Sequence, residues 1–145
     1  KILKEKNSDI NFKFTSIPIK GKTNFESKKY VDKVEKTKLK FQGESQVLYI
    51  VDTDDMDTSK EDLELLEKIA EYVKKQDWHF VFFNRDIEEV LNKKADRKKK
   101  MKEARSYTEK KFTEVDKNNL KVKNYLRRGT SNLFSVISEK LGMKI

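Results

Sequence analysis

Two short apolar runs, VLYIVD (47–52) and WHFVFF (78–83), are separated by 25 residues that place Leu63, Leu66, Ile69, Ala70 and Val73 at helical spacing. This arrangement constrains the fold more than any other feature of the chain. Runs of this length are strands, and the intervening apolar side chains at i, i+3 and i+4 predict an amphipathic helix ending near residue 75. Thr58-Ser-Lys-Glu61 fits a capping box that would open it. A helical crossover between two strands makes them parallel, and the crossover right-handed. VLYIVD shows no polar alternation, so it reads as buried on both faces. The chain is therefore expected to be α/β, a parallel sheet with helices on both faces.

The flanking segments extend the pattern. NFKFTSIPI (11–19) alternates Phe12 and Phe14, then Ile17 and Ile19 around Pro18, and predicts a further strand near a sheet edge. Thr23-Asn-Phe-Glu26 fits another capping box, predicting a helix over 24–37 with Phe25, Tyr30, Val31 and Val34 mostly on one side. After NRD (84–86), IEEVLNKK begins a helix. GTSNLFSVISEKLGM (129–143) predicts a closing amphipathic helix on Leu133, Phe134, Val136, Ile137 and Leu141, capped by Thr130 or Ser131. The order is strand, helix, strand, helix, strand, helix, within a single domain spanning 1–145.

Charge narrows the partners. Of 34 Lys and Arg residues, 15 lie in 93–128 with only 5 of the 25 Asp and Glu, so this segment carries +10 and the remainder −1. Residues 93–111 are helix-forming and polar, and Lys98, Lys99, Lys100 and Arg105 belong to a set of cations that encircle the helix. A solvated arm has this composition. So does a surface that grips a nucleic-acid backbone, to which Arg127 and Arg128, just before Gly129 and a helix start, add a phosphate-holding corner. Tyr107, Phe112 and Tyr125 are interspersed where they could stack on bases, core packing being the other use of Phe112. The segment offers no apolar face for a membrane surface, and no run approaches the ~20 apolar residues of a membrane span. The absence of cysteine excludes disulfides and thiolate metal sites and fits a reducing, cytoplasmic compartment. The chain opens on Lys1 with nothing resembling a signal peptide, and reads as starting inside a longer protein.

The first apolar run ends in four carboxylates within six positions, Asp52, Asp54, Asp55 and Asp57. In open α/β sheets the working groups sit at the carboxyl ends of the strands. If the two strands are neighbours, the loop after Phe83, with Asp86, Glu88 and Glu89, reaches the same edge. Carboxylates gathered there need a cation or a proton. Oxygen donors without Cys, and with His79 as the only histidine, point to Mg²⁺ or Mn²⁺ on Asp52, Asp54 and Asp55. A helix-capping role fits Asp57 and Asp55 as well, a solvated first helical turn fits Glu88 and Glu89, and His79 reads as a packed or solvent-facing strand residue.

VLYIVDTDD resembles the Asp-x-Asp strand end of the TOPRIM fold, the metal-binding domain of topoisomerases, primases and OLD-type nucleases. FNRDIEEVL (83–91) is similar to the Ser-Asn-Pro-x-Phe-Glu-Leu-Trp-Leu-Leu segment of RloB-like proteins, with Asn84 and Glu88 on its Asn and Glu. GTSNLFSVISEKL is similar to that family's Ser-Thr-Asn-Val-x-x-Leu-Val-x-x-Leu ending. The resemblance spans 47–141. It implies a TOPRIM-like sheet with Asp52 and Asp54 as the metal pair and Glu88 as a further catalytic carboxylate. It further implies a nuclease of bacterial anti-phage or restriction defence, working beside a partner ATPase or restriction-system protein. The sequence departs from the pattern at Arg85, where the family has Pro, and at Glu89-Val90 in place of Leu-Trp. The family's first strand, ending in a catalytic Glu, is not found before residue 11, and is expected upstream of residue 1 or absent.

Two functions follow. One is a divalent-metal-dependent nuclease acting on DNA or RNA phosphodiesters through Asp52, Asp54 and Glu88. The other is a non-catalytic TOPRIM-scaffold subunit that binds nucleic acid or protein. A phosphatase-type Asp-x-Asp-x-Thr site, with Asp52 as nucleophile and Asp54 as acid, meets Met56 where that pattern needs Thr.

Overall fold

The computed structural model describes residues 2–53, 59–85, 87, 90, 116–123 and 127–145. Its centre is the expected strand–helix–strand unit. β1 (Leu48–Asp52) and β2 (His79–Phe83) run parallel, Leu48 opposite His79 and Asp52 opposite Phe83. The crossover is a 16-residue helix, Lys60–Lys75. Two further helices precede this unit, α1 (Ile2–Lys6) and α2 (Lys28–Lys38), which makes the crossover α3. Leu66, Ile69 and Val73 recur on one face of α3 and are fully buried, each contributing about 1.5–3 kcal/mol by leaving water. The cap lies one residue after the expected Thr58: Ser59 is the N-cap, its Oγ accepting the Asp62 N–H at 3.2 Å.

The sheet has two covered faces. Tyr49, Val51 and Phe82 meet Leu66, Ile69 and Val73 of α3, with Phe25 closing that side. Val81 and Phe83, pointing the other way by the strand's alternation, meet Leu120, Phe134 and Val136. The second face is thus covered by the closing helix, which starts as α4 (Leu133–Ser135) and continues as a π-turn, Val136–Lys140. Four consecutive residues, 134–137, are buried there, which requires cover on more than one side. β2 supplies one side, and the segment around Lys121, whose carbonyl accepts the Ser135 hydroxyl at 3.1 Å, supplies another. Asn7, also buried, ties α1 to the last residues, its amide bonding the Lys144 N–H and C=O at 2.8 and 3.0 Å.

Four expectations are corrected. Residues 11–19 form no strand; they run without regular structure, and Phe14 is 64% exposed. The described sheet has two strands, not three. The helix expected over 24–37 is a 3₁₀ turn at Lys22–Asn24 followed by α2, which starts after Ser27, so the Thr23–Glu26 box is not used. β1 is not buried on both faces: Tyr49 and Val51 are, while Ile50 is 56% exposed. In β2 the last three residues, Val81, Phe82 and Phe83, are buried on both faces. The closing helix is placed as expected, but Asn132 is its N-cap residue, while the Ser131 hydroxyl accepts the Leu133 N–H at 3.1 Å. The backbone is helical at Ile87 and Val90, and the basic helix expected from 93 lies outside the described residues as far as 115. Among the described residues no helix is long and apolar enough to cross a membrane.

Burial pushes the pKa of the Tyr49 hydroxyl above its ordinary value of 10.0, with Tyr72 adding to the shift, and that of Tyr72 is raised by burial and by Glu26. The unfolded chain therefore loses these protons first as pH rises. Their contribution to stability is complete below pH 10.0 and declines above it, until the folded groups ionise too. Tyr49→Phe is expected to shallow the alkaline fall in stability, followed as urea midpoint against pH; an unchanged slope would assign that fall to other groups.

Candidate functional site

Three pieces of chain meet at the carboxyl edge of the sheet. Parallel register puts Asp52 level with Phe83, and the Thr53 N–H continues the ladder to the Phe83 carbonyl at 3.0 Å. The chain leaving β2 is fastened on both sides. The Arg85 N–H donates to Thr53 Oγ1 at 2.9 Å, and the Asn84 N–H donates to the Thr130 carbonyl at 2.8 Å. Phe83 and Ser131 form an antiparallel bridge, which brings in the third piece. Just upstream, Arg127, Arg128 and Gly129 make a turn that needs the left-handed backbone of Gly129, φ 65°, and that is closed by the Thr130 hydroxyl donating to the Arg127 carbonyl.

Burial divides this corner into a frame and a face. Thr53, Asn84, Thr130 and Ser131 are all buried. They have the short polar side chains a backbone junction needs, because every buried N–H and C=O must find a partner. Asp52, Arg127 and Arg128 are exposed. The corner thus carries exposed Asp52 at the end of β1 and exposed Arg127 and Arg128 on the turn that leads into Thr130.

The site residues expected from sequence distribute as follows. Asp52 stands at the end of β1, and Arg127 and Arg128 stand on the turn that joins the same corner. Asp54, Asp55, Asp57, Asp86, Glu88 and Glu89 lie outside the described residues, as do Lys98, Lys99, Lys100, Arg105, Tyr107, Phe112 and Tyr125. Among the described residues no group of three His, Cys, Asp or Glu side chains gathers to hold a metal ion, Asp52 being the described donor of the expected set. A hard divalent ion suits that donor chemically, with further oxygens required from the neighbouring loops. His79 begins β2, about 13 Å from the edge at the rise of a strand, with Nε2 at 2.8 Å from Gln46 Oε1. It belongs to the opposite end of the sheet.

Sequence reading did not find Thr53 as the residue that joins the two loops, nor Arg85 as part of the corner. The resemblance singled out Asn84, and the SNL stretch, without a structural role for either. In the fold Asn132 bonds the β2 backbone as a neighbouring strand would: its Oδ1 accepts the Phe82 N–H at 3.0 Å and its Nδ2 donates to the Phe80 carbonyl at 2.9 Å. Comparison with protein-family models, with curated proteins and with solved structures finds no match to this chain.

Proposed function

We propose that the chain is a divalent-metal-dependent nuclease-like protein that acts on DNA or RNA phosphodiesters, in the setting of bacterial anti-phage or restriction defence. The observation that carries this reading is the parallel register of Asp52 with Phe83, which gives the carboxylate at the end of β1, the loop leaving β2 and the Arg127–Arg128 turn one common edge. A divalent ion such as Mg²⁺ or Mn²⁺, if held there, would supply Lewis-acid polarisation of a phosphoryl oxygen and activation of a water. Asp52 supplies a hard oxygen to the ion, joined in this reading by Asp54, Asp55 and Glu88 from the loops on either side. Arg127 and Arg128 hold a phosphate, and the excess of cations in the basic segment 93–128 favours a sequence-blind contact with the nucleic-acid backbone.

The test is cleavage of plasmid DNA and of RNA with Mg²⁺ or Mn²⁺. The parent is expected to cut, and Asp52→Ala and Asp54→Ala are each expected to lower the rate at least about tenfold, the loss of roughly 1.4 kcal/mol of transition-state stabilisation. Cleavage indifferent to both substitutions removes the pair from catalysis. Tight binding without cleavage in the parent assigns the chain to the scaffold role.

A further inference from the structure

Among the described residues, four of the six large apolar side chains left exposed lie in 10–41: Ile10, Phe14, Leu39 and Phe41. Phe14, Leu39 and Phe41 stand on two pieces of chain that the Asp52 corner does not use, the irregular segment 11–19 and the residues that end α2. One contact fastens the pieces together, Lys13 Nζ at 5.3 Å from the centre of the Phe41 ring. On the first piece Phe12 and Phe14 pack edge to face, their centroids 5.2 Å apart. The core covers neither piece: α2 buries no residue fully, and Phe14 stays 64% exposed. A single apolar side chain in water is ordinary, but a set of them held together marks an interaction surface.

Charge selects the partner. Residues 11–41 hold 9 Lys against 3 Asp and Glu, a balance of +6, and Lys13 and Lys40 are exposed. Cations and apolar side chains alternate singly on both pieces, Phe12-Lys13-Phe14 on one and Lys38-Leu39-Lys40-Phe41 on the other. Insertion into a lipid surface needs an apolar face separate from the charged one, which this interleaving does not provide. A single-stranded nucleic acid repeats a flat apolar base and an anion at every unit, so bases stack on rings while the phosphates between them meet lysines. We propose that 11–41 carries a second nucleic-acid surface, for single strands, with Phe14 as a ring on which a base stacks and Lys13 and Lys40 as phosphate contacts. The class of ligand rests on the nucleic-acid reading given above, while the surface is separate from the Asp52 edge.

The experiment measures binding apart from cutting. Labelled oligothymidylate and oligouridylate are titrated with the intact chain in EDTA, by fluorescence anisotropy, with thermal melting of each variant alongside. Phe14→Ala is expected to melt with the parent, since the ring is exposed, and to bind at least about fivefold more weakly. Phe14→Tyr, which keeps a ring, is expected to bind as the parent does, and Phe14→Leu, apolar without a ring, to bind like the alanine variant. Lys40→Glu is expected to weaken binding and to flatten its salt dependence. Parent-like affinity in Phe14→Ala, or full rescue by leucine, overturns the stacking surface alone and leaves the Asp52 edge to its own cleavage assay. A parent that binds through Phe14 but does not cut upholds this surface while the nuclease reading falls. A parent that binds neither oligonucleotide, whether or not phosphatidylserine vesicles or polyglutamate retain it, overturns the proposal.

Discussion

Phe82→Ala is expected to cost about 3–5 kcal/mol, the range for emptying an aromatic site in a closed core. The ring is 1% exposed and lies where the inner face of β2 meets α3, against Ile69 and Val73 among others. Little can move in to fill the space, because α3 is held by its cap at Ser59 and by the two strands it connects. A domain of this size has about 5–15 kcal/mol in total, so the substitution leaves a protein near the edge of folding. Ile50→Ala is the matched control. Ile50 sits on the neighbouring strand but is 56% exposed, and its loss is expected within about 0.5 kcal/mol. Urea midpoints of the two variants check the pair, and similar midpoints would mean that β1 and β2 are not divided into covered and open faces as described here.

The contrast between Ile50 and Phe82 also marks how far the sequence could be read. VLYIVD shows no alternation, and pattern alone says buried on both faces. Burial of the second face depends on what covers it, and the closing helix that covers β2 is over forty residues away in sequence. The parallel pair and its crossover were legible because they are local: helical spacing between 63 and 73 and a polar cap just before it. NFKFTSIPI was misread for the opposite reason. Its alternation is that of a strand, but a strand exists only with a partner, and among the described residues none pairs with it. The capping boxes failed in different ways: α3 is capped by the hydroxyl of Ser59, one residue after Thr58, whereas α2 starts after Ser27, a full turn beyond Thr23 and with no side-chain cap bond. At the site, strand direction was enough to bring Asp52 to the edge that β2 delivers. Thr53 and Arg85 were not legible, since their contact joins positions 32 apart in a loop with no periodicity to read.

Asn132→Leu is expected to destabilise the chain by about 2–4 kcal/mol although the new side chain has the same branched outline and greater hydrophobicity. The side-chain amide of Asn132 makes two bonds to the edge of β2 that faces away from β1, accepting from the Phe82 N–H and donating to the Phe80 carbonyl. A buried backbone group that loses its partner costs about 1–3 kcal/mol, so two such losses outweigh the gain of an apolar side chain in the same place. Adjacent to this clamp, the Phe83–Ser131 bridge and the bond from the Asn84 N–H to the Thr130 carbonyl fasten the site corner to the same segment. The consequence reaches function: with Asn132 gone, 127–131 is held less firmly beside β2, and the turn carrying Arg127 and Arg128 drifts from the Asp52 edge. The Phe82 amide is therefore expected to exchange its hydrogen faster in Asn132→Leu than in the parent, and by more than the amides of α3, whose bonds are internal to the helix. Equal acceleration across β2 and α3 would mean global loosening, and unchanged exchange at Phe82 would mean that Asn132 does not stand in for a strand.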